Sequence, residues 1–433
     1  MESVWCEGIR LPQFPPLRDA VSTDVLVIGG GIAGLLCAYQ LKKAGVSCIV
    51  AEQNTIAGGV TQNTTAKITS QHGLIYSKLA KQSGLEAARL YLQANEDALS
   101  AYRALCAKIS CDFTEQSHTV YSRKGTQAVE AELAILSQIG YPAEFVKDAP
   151  LPFSIAGGVR FPNQAQFHPL QFLSGIVEDL LIYENTPVLS LTGADAETAD
   201  GKIHANAVIV ATHFPFLNRH GSYFLKLYQQ RSYVLALENV PMPEGMYLDA
   251  QENGLSFRNW GDQLLLGGGG HRTGKKGGGW TELEAFVQTH YPDARLTHRW
   301  ATQDCMSLDG MPYIGQYSAS TPNLYVATGF NKWGMTTSMA AARILTDAIC
   351  GRDNPCSALF APSRSILHRQ LGINAIEAVG NLLTPPRTRC PHLGCALKWN
   401  PQERSWDCPC HGSRFSEAGK RLDNPATGDL PEK

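Results

Sequence analysis

The chain has few of the features that mark a secreted or membrane-spanning protein. Residues 1–21 carry acids and prolines, with no basic start running into an apolar core, so no secretory signal is read there. The most apolar early run, VLVIGGGIAGLLCAY at 25–39, is broken by glycines. It falls below the roughly 20 apolar residues of a membrane span, so no integral membrane segment is expected. The expected location is cytoplasmic. Charge of one sign is also scarce: 37 basic residues face 39 acidic ones, a formal net of −2. That balance offers no general attraction to polyanions, and no nucleic-acid partner is expected. There is no internal repeat and no low-complexity tract.

What is present points to several units. At 433 residues the chain exceeds the roughly 250–300 residues at which one core stops growing. Its forty glycines include the run 267–270, a sign of tight turns and close approach of backbone to ligands. Eight of the twelve cysteines are scattered, at 6, 37, 48, 106, 111, 305, 350 and 356, and are expected to be free, with Cys48 and Cys305 in the core. The other four fall within residues 390–410.

Residues 23–53, TDVLVIGGGIAGLLCAYQLKKAGVSCIVAEQ, follow one physical plan. An apolar strand at 25–28 leads into Gly29-x-Gly31-x-x-Gly34. A helix at 35–44 is stopped by Gly45, and a second strand at 47–51 ends at Glu52. The glycines permit a tight turn and let backbone N–H groups reach a pyrophosphate at the helix N-terminus. Glu52, 18 residues past Gly34, can accept hydrogen bonds from ribose hydroxyls. No second GxGxxG stands in such a context, so no nicotinamide site is expected.

A long Gly/Thr-rich loop follows, NTIAGGVTQNTTAKITSQHG at 54–73. ANAVIVATHFP (205–215), DGMPYIGQ (309–316) and PNLYVATGFNKWGMTTSMAAARILTDAICG (322–351) come later in the same order. From here the chain resembles the D-amino-acid oxidase/glycine oxidase group of FAD-dependent oxidoreductases. The resemblance implies an α/β FAD-binding Rossmann-like domain over 1–362, discontinuous in sequence, with an inserted antiparallel-sheet substrate domain mainly at 216–300. It places Gly29, Gly31, Gly34, Glu52, Thr64, Thr65, Lys67, Ala211, Gly329, Gly334, Met335 and Thr336 at the FAD. Residues 227–238 and 262–273 read as strands of the insertion, and 84–105 as a helix.

CPHLGC (390–395) and CPCHGS (408–413) raise three readings: a zinc site, a disulfide staple or a redox cluster. Cys408 and Cys410 are one residue apart, which suits a zinc ribbon badly. Taken as Cys390-x-His392 and Cys408-x-x-His411, with fifteen residues between His392 and Cys408, the pattern resembles Rieske [2Fe–2S] proteins. Those bind one iron through two Cys and the other through two His, which raises the potential. The resemblance implies Cys390, His392, Cys408 and His411 as ligands and a Cys395–Cys410 disulfide joining the loops. It also implies a Ser413 hydroxyl bonded to a cluster sulfur, while Phe415 stands where the pattern has a second donor, a tyrosine. The small all-β module is assigned to 387–433. Residues 363–386, an amphipathic helix with a Pro-Pro break, form a linker where base strands are expected. The cluster loops are therefore expected to lean on the flavin domain.

A flavin feeding a [2Fe–2S] cluster converts two-electron chemistry into one-electron export. The expected function is oxidation of a small amine, amino acid or hydroxy acid, with a redox protein or quinone as one-electron partner. An oxygen-using oxidase with an auxiliary cluster and a redox-sensing or docking protein are the alternatives. No side chain declares itself as the base. Position nominates Lys67, which also reads as a solvated loop lysine. It nominates Arg231 and Tyr233, which could clamp a carboxylate but also read as a surface pair. His271, after the glycine run, is nominated at the flavin cavity but also reads as a turn histidine, and Trp333 is expected to pack.

Overall fold

Residues 25–28 are continuously apolar because the strand they end, Val21–Ile28, lies between two parallel neighbours deep in a sheet. In this computed structural model, which describes residues 2–385 and 388–431, that sheet has a clear order. It runs Tyr313–Gln316, Leu324–Thr328, Lys202–Val210, Val21–Ile28, Cys48–Ala51, Leu181–Tyr183. Along this path all neighbours are parallel except the Tyr313–Gln316 edge, and a short antiparallel pair, Ser190–Thr192 and Asp195–Glu197, joins off it at Lys202–Val210. Helices Ile32–Lys43 and Gly334–Ile349 pack together beside it. Gly34 makes the packing possible: a Cβ there would sit 1.9 Å from the Gly29 carbonyl oxygen.

The second sheet has nine strands and is antiparallel apart from one pair. Its main path is Arg295–Ser307, Leu227–Glu238, Gln263–Arg272, Ser256–Trp260, Met246–Asp249, Thr114–Ser122, Gly157–Gln166, Lys67–Ile68. Segment 216–300 therefore supplies only part of it; residues 67–166 supply the rest, and the last strand runs to Ser307. The joint is the parallel pairing of Met246–Asp249 with Thr114–Ser122. Such backbone pairing between distant segments leaves no mark in local hydropathy.

The C-terminal unit is a four-stranded antiparallel sheet of three-residue strands: Lys398–Asn400, Ser405–Asp407, Arg414–Ser416 and Arg421–Asp423. Its buried core comprises Cys390, Cys395, Leu397, Cys408, Cys410, Phe415 and Ala426. Helix Arg369–Leu383 precedes it. Pro386 of the Pro-Pro break lies outside the described residues, as do Met1, Arg387, Glu432 and Lys433 of the expected units.

The helix turns opposite to the usual rule, in which the apolar stripe faces the protein. Asn374 and Asn381 are buried, while Ile373, Ile376, Val379 and Leu383 are exposed. Among the described residues, no helix is long and apolar enough to cross a membrane.

Candidate functional site: a cavity and a Cys–His cluster on a shared wall

The first strand, its glycine turn and the second strand open onto a cavity of about 570 Å³. Gly29, Gly31, Glu52, Thr64, Thr65, Lys67, Ala211, Gly329, Gly334 and Met335 line it, as do Trp333 and Cys305. Gly29 needs its left-handed φ of 109°, and a Cβ there would meet Ala211 backbone oxygen at 2.7 Å. Gly31 caps the helix without a side chain of its own, and Thr61 Oγ1 takes the Ile32 N–H at 3.0 Å; the positive helix end still favours an anion beside it. Glu52 accepts from Gly30 N–H at 2.6 Å and Asn54 N–H at 2.9 Å, and burial raises its carboxyl. A cavity lined by a glycine turn at a helix N-terminus, with an acid at the second strand end, fits a dinucleotide.

Two residues expected at the cofactor have other work. Gly34 serves helix packing, as above. Thr336 is buried and bonds Thr69 carbonyl and His72 Nε2, each at 3.0 Å. His72 stacks under Trp333 with ring centroids 4.8 Å apart. Lys67 is buried, so the solvated-lysine reading fails. Its Nζ donates to Ser256 Oγ at 2.6 Å and to Tyr247 carbonyl at 3.1 Å. Burial, then the Arg258 charge, push its amine down to about 7. Sequence reasoning missed Arg258, which is fully buried and holds Gln166 Oε1 and the carbonyls of Thr65 and Phe167.

In the C-terminal unit, two loops bring Cys390, His392, Cys408 and His411 together. The imidazole centroids lie 4.9 Å apart, at right angles. Both thiols are buried and free. His392 Nδ1 and His411 Nδ1 are buried with no hydrogen-bond partner. Burial pushes His392 down to about 4 and His411 to about 3, so both rings are neutral, as ligands must be. Two thiols beside two orphaned imidazole nitrogens fit a cluster bound half by sulfur and half by nitrogen. Cys395 and Cys410 form a disulfide across the two loops. The Ser413 hydroxyl is buried, bonds the Cys390 sulfur and accepts from Ala426 N–H at 3.0 Å. Phe415 is core.

The histidine edge faces the flavin domain. His392 Nε2 lies 3.1 Å from Asn218 Oδ1, and the Phe214 ring touches both imidazoles edge-on. Ala211, Thr212, His213 and Phe216, from the same loop, line the cavity. The cluster module adds 421–427 to that cavity wall. Asn424 donates to Thr212 carbonyl at 2.6 Å and Phe214 carbonyl at 3.1 Å, and Arg421 reaches Gln53 Oε1 at 2.8 Å. Gln229 donates to the carbonyls of His411 and Asn424, Gln303 to that of Gly412, and Arg272 to those of Pro409 and Cys410.

The same docking engages three catalytic candidates, Arg231, Tyr233 and His271, of which Tyr233 also lines the cavity. Arg231 does clamp a carboxylate, but it is the buried Glu403 of the cluster module. Tyr233 hydroxyl donates to Glu403 at 2.8 Å, and His271 Nε2 sits 3.0 Å from that hydroxyl. Arg231 thus has no free fork for a substrate. Burial would raise the Glu403 carboxyl, but the Arg231 and Arg414 guanidiniums hold it at about 2. Nothing in the linear pattern pairs Arg231 with a residue 172 positions away.

Fold and site together define a flavoprotein oxidoreductase with a Cys–His cluster module built onto it. The family model described as FAD dependent oxidoreductase (DAO) matches residues 24–348, and that for the Rieske [2Fe-2S] domain matches 382–432. The chain belongs to the DAO family of FAD-dependent oxidoreductases and carries a C-terminal Rieske domain; its cofactors are FAD and a [2Fe–2S] cluster. A Bacillus subtilis (strain 168) protein named as a Rieske 2Fe-2S iron-sulfur protein, YhfW, is 33% identical over 502 aligned positions. The match covers 100% of this chain and 97% of that one. Glycine oxidase from Geobacillus kaustophilus superposes with a TM-score of 0.67 at 20% identity, covering 80% of this chain and 99% of that one. L-proline dehydrogenase from P. horikoshii gives 0.67 at 15%, covering 81% and 98%. An oxidase and a dehydrogenase share this fold, so the fold does not choose between them.

Proposed function

We propose that the protein oxidises a small amine, amino acid or hydroxy acid at its flavin. The electrons then pass singly through the cluster to an external acceptor, a redox protein or a quinone. One observation carries this reading: loop 211–218 lines the flavin cavity on one side and packs against both cluster histidines on the other. FAD supplies two-electron oxidation and the cluster one-electron transfer. Gly29, Gly31 and the helix N-terminus beside them would hold the pyrophosphate, and Glu52 the ribose. Thr64, Thr65, Gly334 and Met335 would border the ring. Lys67, poised near neutrality in the cavity wall, can hold or release a proton beside the substrate. Cys390, His392, Cys408 and His411 would bind the cluster, the disulfide bracing their loops.

The test is anaerobic reduction of the holoenzyme by candidate substrates, followed by flavin bleaching and then EPR. The expected result is a reduced Rieske signal after bleaching. In His411→Ala the flavin still bleaches and no such signal forms. Stoichiometric peroxide in air, with a cluster that stays oxidised when substrate is added anaerobically, would replace this reading with the oxidase one.

A further inference from the structure

Helix Arg369–Leu383 wears its apolar side outward. Its inward stripe carries polar side chains that bond the rest of the protein, although Asn374 Nδ2 is buried without a partner. Asn374 Oδ1 accepts from Arg272 at 2.9 Å, Glu377 pairs with Lys275 at 2.6 Å, and Asn381 carbonyl accepts from Ala396 N–H at 3.2 Å. Its outward surface is a ridge of Ile373, Ile376, Val379 and Leu383, with Ile376 74% and Leu383 78% exposed. Leu367 before the helix is 84% exposed, and Leu393, next to His392, is 42% exposed. A soluble domain rarely leaves so continuous an apolar strip without an occupant.

Charge selects the occupant. Between residues 363 and 400 the sequence has four arginines and one lysine against a single acid, Glu377, whose carboxylate is taken by Lys275; Arg364 is paired inward with Asp309, and the other described cations remain for a partner. Arg369 and Arg389 are exposed at opposite ends of the ridge. Two copies packed ridge to ridge would set cation against cation at both ends, with no free carboxylate in this segment to pair them. An anionic headgroup layer meets both requirements, since it takes up an apolar ridge and attracts flanking cations.

We propose that this helix is a membrane-surface docking element, lying in the headgroup plane of anionic lipid without crossing it. The helix is coupled to the cluster: Arg272 holds Asn374 and also the Pro409 and Cys410 carbonyls, and Arg389 bonds the Leu382 and Gly394 carbonyls. Docking therefore brings the cluster loops to the lipid surface, where a quinone is reached. That consequence rests on the electron-export reading; the docking itself does not.

The experiment is co-sedimentation of the holoenzyme with phosphatidylglycerol–phosphatidylcholine vesicles and with pure phosphatidylcholine vesicles. The expected result is binding to the anionic vesicles that weakens as salt is raised. Ile376→Glu combined with Leu383→Glu should weaken it about tenfold or more, with flavin content and cluster signal unchanged. Both side chains are exposed, and the lipid and salt dependence of the unaltered protein tests the idea without any variant. A holoenzyme that stays in the supernatant with anionic vesicles overturns the proposal, as does a double variant that binds equally well. A concentration-dependent dimer that the double variant abolishes would assign the ridge to a second copy and also overturn it.

Discussion

The flavin part and the cluster module are held together by different physics. The flavin part encloses a large apolar core that runs through Val25, Leu35, Leu99, Phe172, Ile209 and Leu345. The cluster module buries four cysteines, Leu397, Phe415 and Ala426. So few apolar side chains cannot offset the ordering of a unit this size. The module is instead stabilised by a disulfide and by polar bonds to the flavin domain.

The sharpest way to break this comparison is Glu403→Ala. It leaves the buried Arg231 without its carboxylate, while Arg414 keeps Asp407 and Asp423, at a cost of about 3–5 kcal/mol. Limited proteolysis should then release the module while FAD stays bound. The same pair predicts a pH dependence. The Glu403 carboxyl sits at about 2 in the folded protein, below its unfolded value near 4.5. Its contribution is therefore complete above about pH 4.5 and disappears as pH falls toward 2. Glu403→Gln should flatten that part of a stability–pH curve measured by denaturant unfolding.

Removing the disulfide with Cys395→Ser and Cys410→Ser opens a 15-residue loop, for which about 3 kcal/mol is expected. The loss should appear in the midpoint at which the cluster spectrum disappears, and leave that of flavin release in place. Gln229→Ala strips the His411 and Asn424 carbonyls of a shared donor, at about 1–3 kcal/mol. It should loosen the module detectably by amide hydrogen exchange at 408–413. Lys67→Met should have the smallest effect on docking, none at all. Its signature is confined to the flavin side: any inflection near pH 7 in the rate of flavin reduction should vanish.

These contrasts track what was legible beforehand. The dinucleotide strand–turn–helix, the strands Leu227–Glu238 and Gln263–Arg272 and the helix Leu85–Cys106 carry their signal in local periodicity, which short-range backbone geometry dictates. The cysteines and histidines were legible because ligand spacing within a loop is also local. For Arg231, Tyr233 and His271 the sequence left a site role and a surface or turn role open, because Glu403, which Arg231 and Tyr233 both bond, comes from a separate stretch of chain with no pattern of its own. The helix at 369–383 was legible as amphipathic, but not which side faces the protein, since Asn374 turns inward to meet Arg272 from a distant strand.

By itself the sequence determined a dinucleotide site and a paired Cys–His pattern, because glycine turns, acid placement and ligand spacing are short-range requirements; FAD and the [2Fe–2S] cluster followed from family resemblance. Only the tertiary structure decided that the cluster's histidine edge rests on the wall of the flavin cavity. It alone decided that a buried ion pair secures the module and that an apolar helix face is left outward. Those outcomes depend on which distant surfaces are desolvated against each other, and desolvation is a property of the folded whole.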